Sequence, residues 1–279
     1  MPILIHYNEG MPIPFYLVDA FADRPFTGNP AGVCFPEVTA STSWMQHVAA
    51  EINQAETAFL LPRPGGEWDL RWFTPTVEVD LCGHATLASA LVLWQTERMA
   101  NQPISFHTRS GVLTCSRADG RIEMDFPAEP PKQSKDSVVE ALELPQQPVF
   151  VGRNRMDVLV VLETADQVRA IVPDASRIGR IDARGVIVTA RSDQPEYDFI
   201  SRFFGPQSGI LEDPVTGSAH CCLGPYWQSV LGKNELVGYQ ASKRGGVVSM
   251  RCTNDRVHLG GSAIMVLKGR LGYASEDSA

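Results

Sequence analysis

Two short turns in the sequence carry residue types suited to acid–base chemistry on an anionic molecule. The first is Cys-Gly-His-Ala at 82–85 and the second is Gly-Ser-Ala-His at 217–220, and each leads into an apolar run that predicts a buried helix. Unpaired backbone N–H groups and the dipole at a helix start favour an anion. The candidate ligands of a carboxylate or phosphate are therefore Gly83, His84, Gly217 and Ser218. Ordinary helix capping would explain either turn taken alone.

Three titratable residues are candidates for proton transfer. Glu56 lies between a helix predicted to end near Asn53 and an apolar strand, where partial burial would raise its pKa towards neutrality. Asp213 lies just before the second turn, and His84 at a helix start is expected to carry a neutral imidazole. Each has a structural alternative: a solvated glutamate at a strand entrance, an Asp-Pro turn opener and a first-turn helix residue.

Three further residues are weaker candidates. The thiol of Cys82 precedes a helix start and could be reactive, but a small buried thiol is an equal alternative. Asp19 and Asn29 could line a pocket or build a loop. The six cysteines and six histidines contain no pair at metal-ligand spacing. We therefore expect reduced thiols, no disulfide framework and no metal site.

The two turns belong to a longer internal repeat. Arg-Trp-Phe-Thr-Pro at 71–75 corresponds to Arg-Phe-Phe-Gly-Pro at 202–206, about 130 residues later. The segments 109–113 and 244–248 also correspond. Each begins with an arginine, and a second arginine, Arg121 or Arg256, follows at the same distance along the chain. Two matches in register predict a duplicated fold with a site where the halves meet.

Composition limits the class of protein. A chain of 279 residues with 44% hydrophobic residues can form two packed cores. A net charge of −8 argues against nucleic acid or an anionic membrane as the main partner. No apolar run approaches the ~20 residues that span a bilayer, and the first residues lack the pattern of a signal peptide. The default expectation is a cytoplasmic protein.

Strand patterns dominate, with a few helices between them. Short apolar or β-branched runs predict strands at 15–18, 58–61, 158–162, 186–189 and 264–267. Periodicity and apolar content predict helices at 43–52, 85–94 and 221–230. The last two are apolar on nearly every face and should be buried, one in each half.

The predicted halves are residues 12–128 and 129–272, with a final strand that could cross over. A proline-rich segment at 127–148, with a short helix predicted at 137–142, would connect them. Residues 1–11 are interpreted as an extension, so that deleting 1–10 should change the melting temperature by only a few degrees. Residues 273–279 are interpreted as a frayed tail.

The ordered motifs resemble the PhzF (phenazine-biosynthesis-like) family. They are Asp-Ala-Phe-Ala at 19–22, Gly-Asn-Pro-Ala-Gly-Val at 28–33, Glu-Thr-Ala-Phe at 56–59, Phe-Thr-Pro at 73–75, Cys-Gly-His-Ala-Thr at 82–86 and Glu-Asp-Pro-Val-Thr-Gly-Ser-Ala-His at 212–220. The resemblance covers about residues 15 to 272. It implies the diaminopimelate epimerase fold, an α+β architecture of two similar halves. In that fold each half is a curled, mainly antiparallel sheet around one central helix.

The resemblance also implies roles for individual residues. The family's proton-carrying glutamate corresponds to Glu56, its histidine to His84 and its second carboxylate to Asp213. The amides that bind the substrate's anion correspond to the two helix starts described above. The implied reaction moves a proton within a small carboxylate-bearing molecule, with no cofactor and no metal. A homodimer is implied as well.

Cys82 leaves an alternative open. It occupies the place of one of the two catalytic cysteines of diaminopimelate epimerases and proline racemases, but no second cysteine occurs at 216–218. The leading hypothesis is an isomerase that works through Glu56. The alternatives are an amino-acid epimerase or racemase that uses Cys82, and a non-catalytic small-molecule binding or interaction protein.

Overall fold

The computed structural model describes residues 12–36, 40–100, 102–118 and 120–272. The extension predicted at 1–11 and the tail predicted at 273–279 lie outside the described residues. The elements up to the middle of the chain are β1 (Ile13–Ala20), β2 (Asn29–Cys34), α1 (Thr42–Ile52), β3 (Glu56–Pro62), β4 (Trp68–Phe73), β5 (Glu78–Val79), α2 (Gly83–Gln95), β6 (Ile104–Thr108), β7 (Gly111–Ala118), β8 (Arg121–Pro127) and β9 (Lys132–Gln133).

The remaining elements follow a similar order, except that two short helices stand where the first series has α1. They are β10 (Phe150–Arg153), β11 (Asp157–Val161), α3 (Ala165–Ala170), α4 (Ala175–Ile178), β12 (Gly185–Arg191), β13 (Phe199–Gly205), β14 (Ile210–Asp213), α5 (Gly217–Leu231), β15 (Glu235–Gln240), β16 (Gly246–Thr253), β17 (Arg256–Gly261) and β18 (Ala263–Leu271). Many strands and a few helices make this an α+β fold, as the family resemblance implied.

The strand pairings of the first half recur in the second. In the first half β1–β2, β3–β4, β6–β7 and β7–β8 pair antiparallel, while β2–β3 and β4–β6 pair parallel. In the second half β10–β11, β12–β13, β15–β16 and β16–β17 pair antiparallel, while β11–β12 and β13–β15 pair parallel. Each half is therefore a mainly antiparallel sheet of the same topology.

The halves exchange strands where they join. β9 follows the first half in the chain but pairs with β10, and β18 follows the second half but pairs with β1. β8 and β17 pair directly, so that the sheets are continuous from one half to the other. These pairings hold the two halves beside each other along their length.

The central helices α2 and α5 are the buried helices that the sequence predicted. Every residue of α2 from His84 to Trp94 is buried, because the helix packs against β1, β2, β3 and β8. α5 packs against β15, β16 and β17, and the two helices contact each other. Helices that are apolar on nearly every face are stable only in such surroundings.

A repeated ion pair lies close to each central helix. Arg71 donates from Nε and Nη2 to Glu78 at 2.7 and 2.8 Å, and its guanidinium lies over the ring of Phe73. Arg202 donates in the same way to Glu212 at 2.7 and 2.9 Å. Each glutamate precedes its helix start by the same number of residues. The repeated sequence motif therefore anchors the turn that leads into each central helix.

The local predictions were right for most elements and wrong for one. α1 is capped by Ser41, whose Oγ accepts from the amide of Trp44 at 3.1 Å. The short helix predicted at 137–142 is instead a set of turns, with one helix-like bond from the Leu142 amide to the Val138 carbonyl. A single turn fixes many dihedral angles for one hydrogen bond, so the segment does not extend into a helix.

Candidate active site

The starts of the two central helices meet at one cleft. A methyl group added at Gly83 would lie 3.6 Å from the Cα of Gly217. Neither helix has a side-chain cap, because the cap residues Cys82 and Thr216 make no capping hydrogen bond. The cleft is lined by Glu56, Leu81, Cys82, Gly83, His84, Phe126, Arg184, Phe203, Gly205, Ser208, Ile210, Asp213, Thr216, Gly217 and Ser218. Two uncapped helix starts that face each other form a natural anion site.

Glu56 and His84 face each other in this cleft. The chain leaves α1 through Asn53, in the left-handed conformation at φ 52°, and enters β3 at Glu56. The Glu56 Oε2 lies 3.2 Å from His84 Nε2, although the two atoms are not aligned for a hydrogen bond. The Glu56 side chain is 14% exposed and that of His84 is 5% exposed. Both side chains line the cleft, and the carboxyl group is the more exposed of the two.

Burial shifts the pKa of Glu56 strongly. Desolvation raises the pKa of Glu56 to about 8, and the nearby charge of Asp213 adds to the rise. A hydrogen bond from Cys82 and the positive charge of Arg184 oppose it. A carboxyl group with a pKa near neutrality can both accept and return a proton at physiological pH.

The proton on His84 can be assigned from its neighbours. Asn29 Nδ2 donates its two hydrogens to Asp213 Oδ1 at 2.7 Å and to the Val215 carbonyl at 2.9 Å. The same nitrogen lies 3.3 Å from His84 Nδ1, and the Cys82 Sγ lies 3.5 Å from Nδ1. The Asn29 amide nitrogen cannot accept a hydrogen bond, so its position beside Nδ1 favours the tautomer with the proton on Nε2, on the side of Glu56. Burial lowers the pKa of His84 to about 3, so the imidazole is neutral.

Asp213 is the second carboxylate of the cleft. Its Oδ2 accepts from the Thr216 hydroxyl at 2.6 Å, and its Oδ1 accepts from Asn29. Burial raises the pKa of Asp213 to about 6, while these hydrogen bonds and Arg184 oppose the rise. Gln240 holds the loop, because it donates to the Asp213 carbonyl and accepts from the Thr216 amide. Asp213 is thus the more acidic of the two carboxyl groups.

Cys82 lines the cleft as a neutral thiol. Burial first, and then the charge of Glu56, raise the pKa of the Cys82 thiol well above its usual range. Donor atoms of Glu56, Cys82 and His84 lie within 4.8 Å of one another, the spacing of a three-ligand ion site. An ion would have to displace protons that burial makes Glu56 and Cys82 keep. The trio is therefore better suited to hold protons than a cation.

Two residues that were predicted to contact the substrate, Asp19 and Asn29, do not line the cleft. Asp19 does not reach the cleft: its carboxylate accepts from the Phe26 amide and from Arg244 Nη2, both at 2.7 Å. Buried there, Asp19 stabilises the loop that leads to β2, which corrects its assignment as a substrate ligand. Asn29 lies behind the cleft and holds Asp213, so that it positions a carboxylate rather than lining the cavity.

Arg184 is a cleft residue that the sequence analysis missed. It precedes β12, lines the cleft and donates from Nη2 to the Ser218 Oγ at 2.9 Å. Its buried partner Asp157 begins β11. No motif marks either residue, and the only available signal was their place at the starts of two predicted strands.

The sequence of this chain matches a known protein family over most of its length. The chain belongs to the PhzC-PhzF family of phenazine biosynthesis-like proteins, which matches residues 18–269. The resemblance inferred from the motifs is therefore confirmed.

Comparisons with individual proteins agree with this family. An uncharacterised isomerase of Halalkalibacterium halodurans is 53% identical over 94% of this chain and 99% of its own length. The crystal structure of a PhzF-family phenazine biosynthesis protein from Enterococcus faecalis has a TM-score of 0.88 at 40% identity, covering 93% of this chain and 99% of that one. A hydroxyproline epimerase from Agrobacterium vitis, 8% identical with a TM-score of 0.62 over 95% of this chain and 94% of that one, shares the fold alone.

Within the described part of the chain, no helix combines the length and apolar character needed to cross a membrane.

Proposed function

We propose that this protein is an isomerase that moves a proton between atoms of a small carboxylate-bearing molecule, without a cofactor. The observation that carries the proposal is the position of Glu56. Its raised-pKa carboxyl group lies beside His84 in the cleft where two uncapped helix starts meet. The isomerase name of a relative that is 53% identical supports the same class.

Glu56 would carry the proton. In its ionised form it removes a proton from a carbon next to an electron-withdrawing group, which leaves the substrate as an enolate-like anion. Amides at the starts of α2 and α5 stabilise the negative charge, as fixed backbone dipoles do in other proton-transfer sites. The carboxylic acid then returns the proton to a second carbon, so that substrate and product have the same composition.

His84 and Asp213 would assist that transfer. A neutral His84 donates its Nε2 proton towards Glu56 or the developing anion and does not compete for the transferred proton, because its pKa is low. The charge of Asp213 keeps the pKa of Glu56 high, so that the carboxylic acid is a stable intermediate form. Asp213 thus raises the pKa of the proton carrier Glu56, and His84 donates a hydrogen bond to Glu56 or to the substrate anion.

Two other functions fit the cleft less well. A Cys82-based epimerase needs a thiolate, and the pKa of this thiol is raised rather than lowered. It also needs a second acid–base thiol, whereas the opposite turn contains Thr216, Gly217 and Ser218. A purely binding protein would gain nothing from a desolvated carboxyl group beside an imidazole.

The test is deuterium exchange. A panel of small cyclic and acyclic carboxylic acids is incubated with the protein in D2O and followed by NMR. An isomerase incorporates deuterium into at least one acid, and Glu56→Gln reduces the rate roughly 10²-fold or more while the protein stays folded. Glu67→Gln, at an exposed carboxylate outside the cleft lining, is the matched control. An acid that binds without any exchange would favour the non-catalytic function.

A further inference from the structure

Arg184 is held so that one edge of its guanidinium is used and the other is free. Its Nε and Nη2 donate to Asp157 at 2.8 and 2.5 Å, and Asp157 is completely buried. Nη2 also donates to the Ser218 Oγ, which uses the second hydrogen of that nitrogen. Among the described residues, none accepts from Nη1. The two N–H groups of Nη1 are therefore available to a ligand.

Other arginines of the fold show what a purely structural arginine looks like here. Arg202 pairs with Glu212 through Nε and Nη2, and its Nη1 donates to the Ile171 carbonyl at 2.6 Å. Its side chain is 9% exposed, whereas that of Arg184 is 31% exposed and lines the cleft. A buried guanidinium whose N–H groups are all hydrogen-bonded stabilises the fold. Arg184 differs, because its two Nη1 N–H groups lie at the cleft wall without an acceptor among the described residues.

Ser218 adds a donor at the same place. Its Oγ accepts from Arg184, and the proton of its own hydroxyl has no acceptor within the described ranges. The guanidinium also lies 5.4 Å from the centre of the Phe203 ring, which restricts its movement. Together, Nη1 and the Ser218 hydroxyl form a positioned group of three donors, one part of which is permanently charged.

These donors exceed what one carboxylate can use. A carboxylate accepts about four hydrogen bonds. The amides of Gly83, His84, Gly217 and Ser218 already supply four at the two facing helix starts. Arg184 Nη1 and the Ser218 hydroxyl therefore remain for a second acceptor, and the fixed positive charge favours an anionic one.

The cleft can accommodate a second negative group. Asp157 is paired by the opposite edge of Arg184, so that its charge is compensated without occupying the cleft. The two helix starts contribute further positive partial charge. Glu56, with a pKa of about 8, is largely uncharged near neutrality, whereas Asp213, with a pKa of about 6, is charged there and its oxygens accept hydrogen bonds from Asn29 and Thr216.

We propose that the substrate is a small dicarboxylate, or a carboxylate with a second anionic group, and that Arg184 with Ser218 binds the second anion. This inference rests on the proposed function, because it places one carboxylate at the helix starts and the reacting carbon beside Glu56. Arg184 belongs to the second half and Glu56 to the first. The substrate is thereby held by residues of both halves.

The test compares acids that differ only in the second carboxylate. Succinate and glutarate are measured against butyrate and valerate by calorimetry, and cyclohexane-1,2-dicarboxylate against cyclohexanecarboxylate. We expect the better dicarboxylate to bind at least about tenfold more tightly than its partner, the contribution of one charge-assisted hydrogen bond. Equal binding within every pair overturns the proposal.

Variants then locate the effect. The double variant Arg184→Gln with Asp157→Asn removes the guanidinium together with its buried carboxylate partner, so that neither charge is left unpaired. It should abolish the dicarboxylate preference while monocarboxylate binding persists. Arg63→Gln with Asp69→Asn removes an exposed arginine–aspartate pair outside the cleft and should leave the preference intact. If the first variant does not fold, Ser218→Ala, which removes one donor, should reduce the preference.

Two results at this stage contradict the proposal. A preference that survives loss of Arg184 would place the second anion elsewhere, and an equal loss for both acids would mean that Arg184 binds the same carboxylate as the helix starts. These are equilibrium measurements, so their outcome does not depend on turnover. Deuterium exchange into a monocarboxylate, with none into any dicarboxylate, would retain the isomerase and overturn the substrate class.

Discussion

Gly83 and Gly217 face each other so closely that a methyl group added at either would lie about 3.5 Å from the other's Cα. Each is the first residue of a central helix, and each comes from a different half of the duplicated fold. This contact brings two sets of free backbone N–H groups to one place. No single half contains the complete site.

Gly217→Ala should therefore impair binding without impairing folding. The added methyl group would be at ordinary contact distance from Gly83 and Leu259, and the backbone at Gly217 is outside the left-handed region. It would, however, occupy space that an anion needs between the helix starts. We expect an unchanged melting temperature and carboxylate binding weakened about tenfold or more, by calorimetry. Gly272→Ala, which contacts nothing, is the control; equal binding by both variants would place the anion elsewhere.

The activity should rise with pH and level off above about pH 8. Glu56 must be ionised to remove the first proton, and its pKa is raised from 4.5 to about 8. The measurement is kcat/KM against pH for whichever acid the deuterium panel identifies. An activity that falls through pH 8 would mean that Glu56 acts first as an acid.

The same group should make the protein less stable as pH rises. The folded state holds a proton on Glu56 between pH 4.5 and about 8, whereas the unfolded chain has lost it, so the free energy of unfolding falls across this window. Glu56→Gln has no such titration. We expect the variant to exceed the wild type in melting temperature by a few degrees at pH 8.5 and to approach it near pH 5. Asp213, raised to about 6, titrates in both proteins and does not create the difference.

Cys82→Ser should retain most of the activity. The thiol is buried and neutral at physiological pH, which makes it a poor base and nucleophile. The loss in turnover should be much smaller than the roughly 10²-fold loss expected for Glu56→Gln. The two variants are assayed side by side on the same acid. An inactive Cys82→Ser with a fully active Glu56→Gln would reverse the assignment and indicate epimerase chemistry through the thiol.

Asp19→Asn should affect stability rather than binding. The carboxylate is buried and pairs with Arg244, which in turn donates to the carbonyls of Thr27 and Gly28. Breaking one side of such a pair costs about 3 kcal/mol in the free energy of unfolding. Urea denaturation should detect this loss, while KM stays unchanged in the folded protein. A changed KM at unchanged stability would return Asp19 to the list of substrate contacts.

The sequence could predict the elements whose signals are local. The end of α1 near Asn53 and the fully apolar α2 depend on residues within a few positions of one another, and these elements were predicted to within a few residues. The segment at 137–142 was mispredicted because helix-forming residues there span only one turn.

The candidate site was predictable only in part. Glu56, Cys82, His84, Asp213, Gly217 and Ser218 lie in motifs, and the structure brings them to one cleft. Asp19 lies in a motif too but serves the loop, because a motif does not state which way a side chain points. Arg184 lies in no motif, and its role depends on Asp157, which pairs with it across neighbouring strands.

By itself, the sequence determined which segments become strands and central helices, and that the pattern occurs twice. The tertiary structure alone decided which side chains meet. Asn29 and Asp213 are 184 residues apart and lie 2.7 Å from each other, and the pairing of β8 with β17 joins the halves that carry them. Hydrophobic periodicity and capping are short-range signals, whereas such contacts depend on strand register and on how two sheets pack. The raised pKa of Glu56 is likewise a tertiary property, because burial and the charge of Asp213 cause it.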